Sequence, residues 1–86
     1  MKKLIAGNWK MNGTREEVNQ LVYDLMQGLP AEPQETYEIL LCPPFVYLDR
    51  LDKFFKATPV SIGAQDCAAF ENGAYTGDVS ASMIKD

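Results

Sequence analysis

Histidine is absent from this sequence of 86 residues. Its absence removes the side chain that most often moves protons near neutral pH, and also the most frequent protein ligand of metal ions. The two cysteines, Cys42 and Cys67, stand far apart and have none of the closely spaced partners that a structural zinc site requires. We therefore expect no metal site, and we expect both cysteines to be reduced thiols that pack as small buried hydrophobic side chains.

Positive charge and long apolar runs are also scarce. Eight Lys and Arg residues against twelve Asp and Glu residues leave a net charge of -4, which does not favour binding to nucleic acid or to an anionic membrane surface. No apolar run approaches the about 20 residues that span a bilayer, and the apolar stretch near the N-terminus is too short for a signal peptide. Glycine-rich phosphate loops are missing as well. We expect a cytoplasmic protein without a cofactor, a nucleic-acid partner or a membrane partner.

Apolar runs and amphipathic stretches alternate along the chain. The apolar run at residues 3–6 predicts a short strand that is buried on both faces, and further strands are predicted at residues 37–42 and 60–64. Strands that alternate with helices are typical of an α/β fold with a parallel sheet and right-handed crossovers. Three such strands would leave one face of the sheet uncovered, and the last helix has no terminator, so the chain is interpreted as interrupted at Asp86.

Two complete helices and the start of a third are expected. A capping box starts the first helix at Thr14, Gly28 stands where a left-handed residue would end it, and Pro30 and Pro33 forbid its continuation. An apolar stripe over residues 48–55 marks the second helix. The aromatic side chains of this region are expected in the core: Phe45, Tyr47, Phe54 and Phe55. A long connection over residues 66–77, of a length that is usually functional, precedes a third helix that opens at residues 79–86.

Polar side chains follow the first strand, at the end where ligands of parallel α/β proteins bind. Asn8 and Lys10 are two positions apart, so on an extended backbone they would project to one side and Trp9 to the other. Lys10 is the sole charge between Lys3 and Arg15, and its field suits an anionic ligand or a negative charge that develops on an oxygen atom. Two interpretations stay open at this point, a ligand-facing pair and an ordinary solvated turn.

Four segments of the chain resemble the triosephosphate isomerase family. They read AGNWKMNG at residues 6–13, CPPFVYL at 42–48, GAQD at 63–66 and NGAYTGDVS at 72–80, in the order and spacing of that family. The resemblance implies a (β/α)8 TIM barrel that is active as a homodimer, with its site at the carboxyl ends of the strands. It also implies an isomerase of glycolysis and gluconeogenesis, which interconverts dihydroxyacetone phosphate and glyceraldehyde 3-phosphate through an enediolate, without a cofactor.

The same resemblance assigns roles to individual residues. Asn8 and Lys10 match the family's substrate-binding residues, and Lys10 matches its catalytic, electrostatically stabilising lysine. Thr76 matches the tip of a loop that enters the neighbouring subunit. The residues that match the dimer interface are Asn12, Gln65, Tyr75, Thr76, Gly77 and Asp78. Because Gln65 follows a strand, the alternative interpretation is that its side chain forms hydrogen bonds with the backbone of a loop.

The resemblance covers about the first third of the family's chain, and it implies that residues 1–86 are the N-terminal part of a single TIM-barrel domain, incomplete at Asp86. The family's electrophilic His and its base Glu lie beyond that third, so we expect the 86-residue chain alone to be inactive. The alternative function is a non-catalytic fragment or half-barrel interaction module that assembles with another chain.

Overall fold

The computed structural model of the chain describes residues 2–30 and 32–86. Strands and helices alternate as predicted, in the order β1 (Lys3–Asn8), α1 (Arg15–Gly28), β2 (Tyr37–Cys42), α2 (Phe45–Phe55), β3 (Ser61–Ile62) and α3 (Ala81–Lys85). The expectation of three parallel strands, two full helices and a short third helix is confirmed. None of the described helices combines the length and the apolar character that a bilayer crossing needs.

The three strands form one parallel sheet in the order β1-β2-β3. β1 pairs with β2 along its whole length and ends with Asn8 beside Cys42, so it is longer than the predicted residues 3–6. β3 is shorter than predicted. Its Val60 N–H donates to the Thr58 hydroxyl at 3.2 Å instead of joining the ladder, and the last ladder bond runs from Gly63 N–H to β2.

The two-sided burial predicted for β1 is wrong. Leu4 is 61% exposed and Ile5 is 55% exposed. Leu4 lies on the sheet face that α1 and α2 leave open. Ile5 pairs with Ile39, which packs against the core, but the outer side of β1 has no strand beside it among the described residues. Within the described residues, β1 is therefore an exposed edge strand.

The core lies between the other face of the sheet and helices α1 and α2. Its buried side chains are Val18, Val22, Leu41, Leu51, Phe55 and Val60. The apolar stripes of both helices are thus confirmed in part. The prediction that Phe45 and Phe54 lie in the core is wrong: they are 37% and 42% exposed. They stand in the first and last turns of α2, and of the last two helical residues it is Phe55 whose side chain enters the core.

The start of α1 is as predicted, but the conformation at its end is not. The Thr14 hydroxyl accepts from Glu17 N–H at 3.1 Å, which confirms the predicted start of α1. The prediction of a left-handed Gly28 is wrong: Gly28 is the last helical residue, and Leu29 follows it with φ -89° and ψ 145°. Leu29 precedes Pro30, whose ring excludes the helical conformation from the residue before it. Proline, not glycine, therefore ends this helix.

The third helix begins later than predicted. The Ser80 hydroxyl accepts from Met83 N–H at 3.2 Å and caps a helix that starts at Ala81 rather than at residue 79. Both cysteines carry free thiols, as expected, but only Cys42 is half-buried. The prediction of a buried Cys67 is wrong, because this residue lies on the exposed loop before α3.

Candidate functional site

The carboxyl ends of the three strands lie side by side and carry polar residues. Asn8 is the last residue of β1, Cys42 is the last residue of β2, and Gln65 follows β3. Beyond β1, Trp9 N–H donates to the Cys42 carbonyl at 3.1 Å, so the first loop leaves the sheet directly beside β2. The predicted polar residues Asn8, Lys10 and Gln65 are therefore brought to one end of the sheet, where ligands of parallel α/β proteins bind.

Lys10 has a left-handed backbone, with φ 56°, and no other non-glycine residue in the described ranges has a positive φ. A side chain in this conformation costs about 1–2 kcal/mol. The Asn8 side chain supports the reversal, because its Oδ1 accepts from Lys10 N–H at 2.9 Å. The chain is consequently not extended at Lys10, and the strand alternation that would place Asn8 and Lys10 on one side does not apply to this turn.

Gln65 connects the first loop to the second strand. Its Nε2 donates to the Lys10 carbonyl at 2.9 Å and to the Cys42 carbonyl at 2.8 Å. Both partners are acceptors, so the side-chain nitrogen and not the oxygen must face them. The expectation that Gln65 satisfies loop backbone is confirmed. Its match to an interface position stays a prediction.

The loop from Trp9 to Gly13, here called the lysine loop, has two further anchors. Asn12 Nδ2 donates to the Trp9 carbonyl at 2.9 Å, within the loop. The Tyr47 hydroxyl donates to the Gly13 carbonyl at 2.8 Å, across to α2. Sequence reasoning assigned Tyr47 to the core and missed this contact. The available signal was chemical, since a partly buried tyrosine hydroxyl normally has a hydrogen-bond partner.

The ammonium group of Lys10 is exposed and has no carboxylate partner within residues 2–30 and 32–86. The ion pairs of this part of the chain are Lys2–Glu38 and Lys53–Asp49, both remote from the lysine loop in sequence. Asn8 uses its oxygen on the backbone, which leaves its amide N–H groups as donors. The site can therefore present a cation and an amide donor to an anion. No group of three or more Cys, Asp or Glu side chains in the described ranges could hold a metal ion.

The loop of residues 66–80, here called the long loop, is closed by its own contacts. Ala68 N–H donates to the Val79 carbonyl at 2.8 Å and closes the base of the loop. Near the tip the rings of Phe70 and Tyr75 stack with centroids 4.5 Å apart and planes 2° from parallel. Gly73 has φ 135°, and a Cβ there would lie 2.8 Å from the Tyr75 ring. The tip therefore needs glycine for both its backbone angle and its space.

The six positions matched to an interface fall into two groups. Asn12 and Gln65 belong to the lysine loop and to the end of β3. The remaining four are consecutive on the long loop, Tyr75 to Asp78, where Asp78 N–H donates to the Tyr75 carbonyl at 3.0 Å and Thr76 is exposed. Their part in an interface stays a prediction.

Comparison with known proteins gives a consistent match. The family model described as triosephosphate isomerase matches residues 3–86. The chain is 49% identical to the triosephosphate isomerase of Coxiella burnetii (strain Dugway 5J108-111) over 85 residues, which are 99% of this chain and 32% of that protein. It is 44% identical to that of Xanthomonas oryzae pv. oryzae (strain PXO99A) over 85 residues, 99% of this chain and 33% of that protein.

The match to Gluconacetobacter diazotrophicus triosephosphate isomerase is 40% over 86 residues, 100% of this chain and 34% of that protein. The chain thus spans about a third of the length of the curated relatives it matches. The three parallel strands with alternating helices fit one part of a (β/α)8 barrel. The chain belongs to the triosephosphate isomerase family.

Proposed function

We propose that the full-length protein carrying this chain interconverts dihydroxyacetone phosphate and glyceraldehyde 3-phosphate, with residues 1–86 supplying Asn8 and Lys10. By full-length protein we mean residues 1–86 followed by the part of the family's chain that they do not cover. That part comes either from the protein's own gene or, in a chimera, from the Coxiella burnetii relative. The observation that carries the proposal is the exposed Lys10 ammonium at the carboxyl ends of parallel strands in a chain of this family. In this proposal the reaction takes place in the cytoplasm.

The chemistry of the isomerisation calls for a cation at this place. A base removes a proton beside the carbonyl carbon, and the electron pair moves onto the carbonyl oxygen to give an enediolate. Lys10 lowers the energy of that oxygen's negative charge and attracts the phosphate-bearing substrate, while the Asn8 amide donates to a substrate oxygen. The proton is then delivered to the former carbonyl carbon, while the neighbouring hydroxyl gives up its proton and the former carbonyl oxygen gains one, so that the carbonyl group moves by one carbon.

The base and the electrophile come from outside these residues in this proposal. No histidine is present in the chain. None of its glutamates follows a strand at the end where Lys10 stands, because the strands end at Asn8, at Cys42 and before the segment Gly63–Asp66. Residues 1–86 therefore bind and stabilise charge but do not transfer the proton.

Replacement of Lys10 tests the proposal. In the full-length protein Lys10→Met should lower kcat/KM by at least about a thousandfold, because a preorganised charge facing the developing oxyanion contributes several kcal/mol. Lys53→Met is the matched control, since Lys53 forms an exposed ion pair on α2 and should leave the rate within about twofold. A coupled assay of glyceraldehyde 3-phosphate formation measures both. Near wild-type turnover of Lys10→Met would contradict the proposal.

We further propose a homodimer in which the tip of the long loop enters the partner subunit. Thr76 would then contact the partner's lysine loop where it follows Asn8. The other proposed interface residues are Asn12, Gln65, Tyr75, Gly77 and Asp78. The closed base and the stacked rings support this role, because they present Thr76 on a loop that is already shaped. Each site would draw its chemistry from one chain.

A half-barrel module that assembles with a second polypeptide is the second candidate function. It is favoured by one observation, the exposed apolar side chains of β1. Mixing residues 1–86 with a separate polypeptide of the remaining two-thirds tests it. Recovery of a stable complex and of turnover on mixing would support the module, and two chains that stay apart would exclude it.

A further inference from the structure

We propose that Gln65 is a positioning residue for Lys10: its carboxamide holds the Lys10 backbone in the left-handed conformation that presents the ammonium group at the site. This inference rests on the proposed function, because it concerns how the lysine of that reaction is oriented. It assigns Gln65 a role within its own chain, in addition to any contact with a second subunit.

The two peptide planes that flank the Lys10 Cα are each tied by a side chain. The plane before Lys10 carries the N–H that donates to Asn8 Oδ1 at 2.9 Å. The plane after it carries the carbonyl that accepts from Gln65 Nε2 at 2.9 Å. The angles φ and ψ of a residue describe how these two planes are turned about its Cα. With both planes held, the left-handed conformation of Lys10 is set from both sides.

The same Gln65 amide is itself fixed to the sheet. Its second N–H donates to the Cys42 carbonyl at 2.8 Å, at the end of β2. β2 is the central strand, and the same Cys42 carbonyl also accepts from Trp9 N–H at 3.1 Å, so it is tied to β1 as well. Lys10 is therefore coupled through one amide to a rigid strand end, over sequence separations of 55 and 23 residues from Gln65.

The conformation of Lys10 requires such support because it is unfavourable by itself. Without the Gln65 contact, the turn would be held only by Asn8 and would relax toward the conformations with negative φ that a lysine prefers. The rate then falls in proportion to the fraction of molecules that still hold the competent conformation. If the usual energetic cost of a left-handed lysine is no longer offset by the Gln65 contact, the competent fraction, and with it kcat/KM, falls about tenfold.

Two substitutions at Gln65 test the inference in the full-length protein. Gln65→Met keeps the length of the side chain and removes both donors, and Gln65→Asn keeps an amide but withdraws it by one methylene. Both should lower kcat/KM about tenfold, and the melting temperature should fall by no more than about 5 °C for the two exposed hydrogen bonds that Gln65→Met removes. Gln20→Met is the matched control, because the Gln20 amide donates only to Asp24 on the exposed side of α1. It should leave the rate unchanged.

A double-mutant cycle with Lys10 separates positioning from a general structural effect. Gln65→Met should cost about tenfold beside Lys10 but less than about twofold in a Lys10→Met background, since a residue that acts through Lys10 has nothing left to orient. A crystal structure of Gln65→Met should show Lys10 with a negative φ. If Gln65→Met does not fold, the same cycle with the milder Gln65→Asn decides.

Several results would overturn the inference. They are an equal loss from the Gln65 variant in both backgrounds, no loss beside Lys10, or a Lys10 that keeps its left-handed conformation in the variant that has lost rate. In each of these cases the proposed function stands as long as Lys10→Met itself abolishes turnover. A full rate for Lys10→Met would instead overturn the proposed function, and the role of Gln65 with it.

Discussion

Two glycine-to-alanine substitutions should have opposite effects on stability. Gly13 ends the lysine loop with φ 123°, and a Cβ there would lie 3.1 Å from Cε2 of Tyr47. Gly28, the last residue of α1, has no positive φ and open space around a Cβ. Position 13 therefore requires glycine for its backbone and its space, and position 28 requires it for neither.

The cost at Gly13 has two parts. A non-glycine residue held at such an angle is strained by about 1–3 kcal/mol. The Tyr47 ring must also move by a few tenths of an ångström, which disturbs the hydroxyl's 2.8 Å bond to the Gly13 carbonyl, a contact worth about 1 kcal/mol. We expect a loss of about 2–3 kcal/mol, or a melting temperature lower by about 5–10 °C in a protein of about 250 residues.

The control substitution should be harmless or favourable. Gly28→Ala removes the extra backbone freedom that glycine has in the unfolded chain and should stabilise the full-length protein by about 0.5 kcal/mol. Urea unfolding followed by circular dichroism measures both variants. If Gly13→Ala unfolded at the same urea concentration as Gly28→Ala, the conformational argument for the lysine loop would be refuted.

Two further predictions concern the isolated chain and the long loop. Residues 1–86 alone should show no isomerisation above buffer in the coupled assay. Their exposed sheet face should make them aggregate or unfold without a cooperative transition. Dispersed NMR signals together with a sharp thermal transition would contradict this. Shortening the long loop between Asn72 and Gly77 in the full-length protein should give monomers with strongly reduced turnover by light scattering and assay; a shortened variant that stays dimeric, or a fully active monomer, would remove the loop from this role.

Local patterns in the sequence were sufficient for the order of the elements. The Thr14 cap of α1 and the apolar run of β2 depend on neighbours within a few residues, and both were predicted correctly. The return contact from the Glu17 carboxylate, the second half of the predicted capping box, is not found among the hydrogen bonds of the described residues. The burial of β1 was not, because it depends on what lies beside the strand and not on its own composition. At the end of α1 the stop before Pro30 was predicted, but the left-handed conformation of Gly28 was not found, since Gly28 stays helical and Leu29 leaves the helix.

The candidate site was predicted by residue type but not by geometry. The isolated positive charge of Lys10 and its place after a strand are visible in the sequence. Its left-handed backbone is not, because strand alternation gives no information once the chain has left the sheet. The two carbonyls that Gln65 contacts belong to residues 55 and 23 positions away, and only the folded sheet brings them together.

The self-contained shape of the long loop bears on the speed of association. A loop that becomes ordered only on docking loses conformational entropy at that moment and slows the encounter that must fold it. In the long loop the ring stack of Phe70 with Tyr75 and the closed base fix the tip beforehand. Any partner surface that receives this tip therefore meets a rigid body, and its association rate is limited by mutual orientation rather than by ordering of the loop.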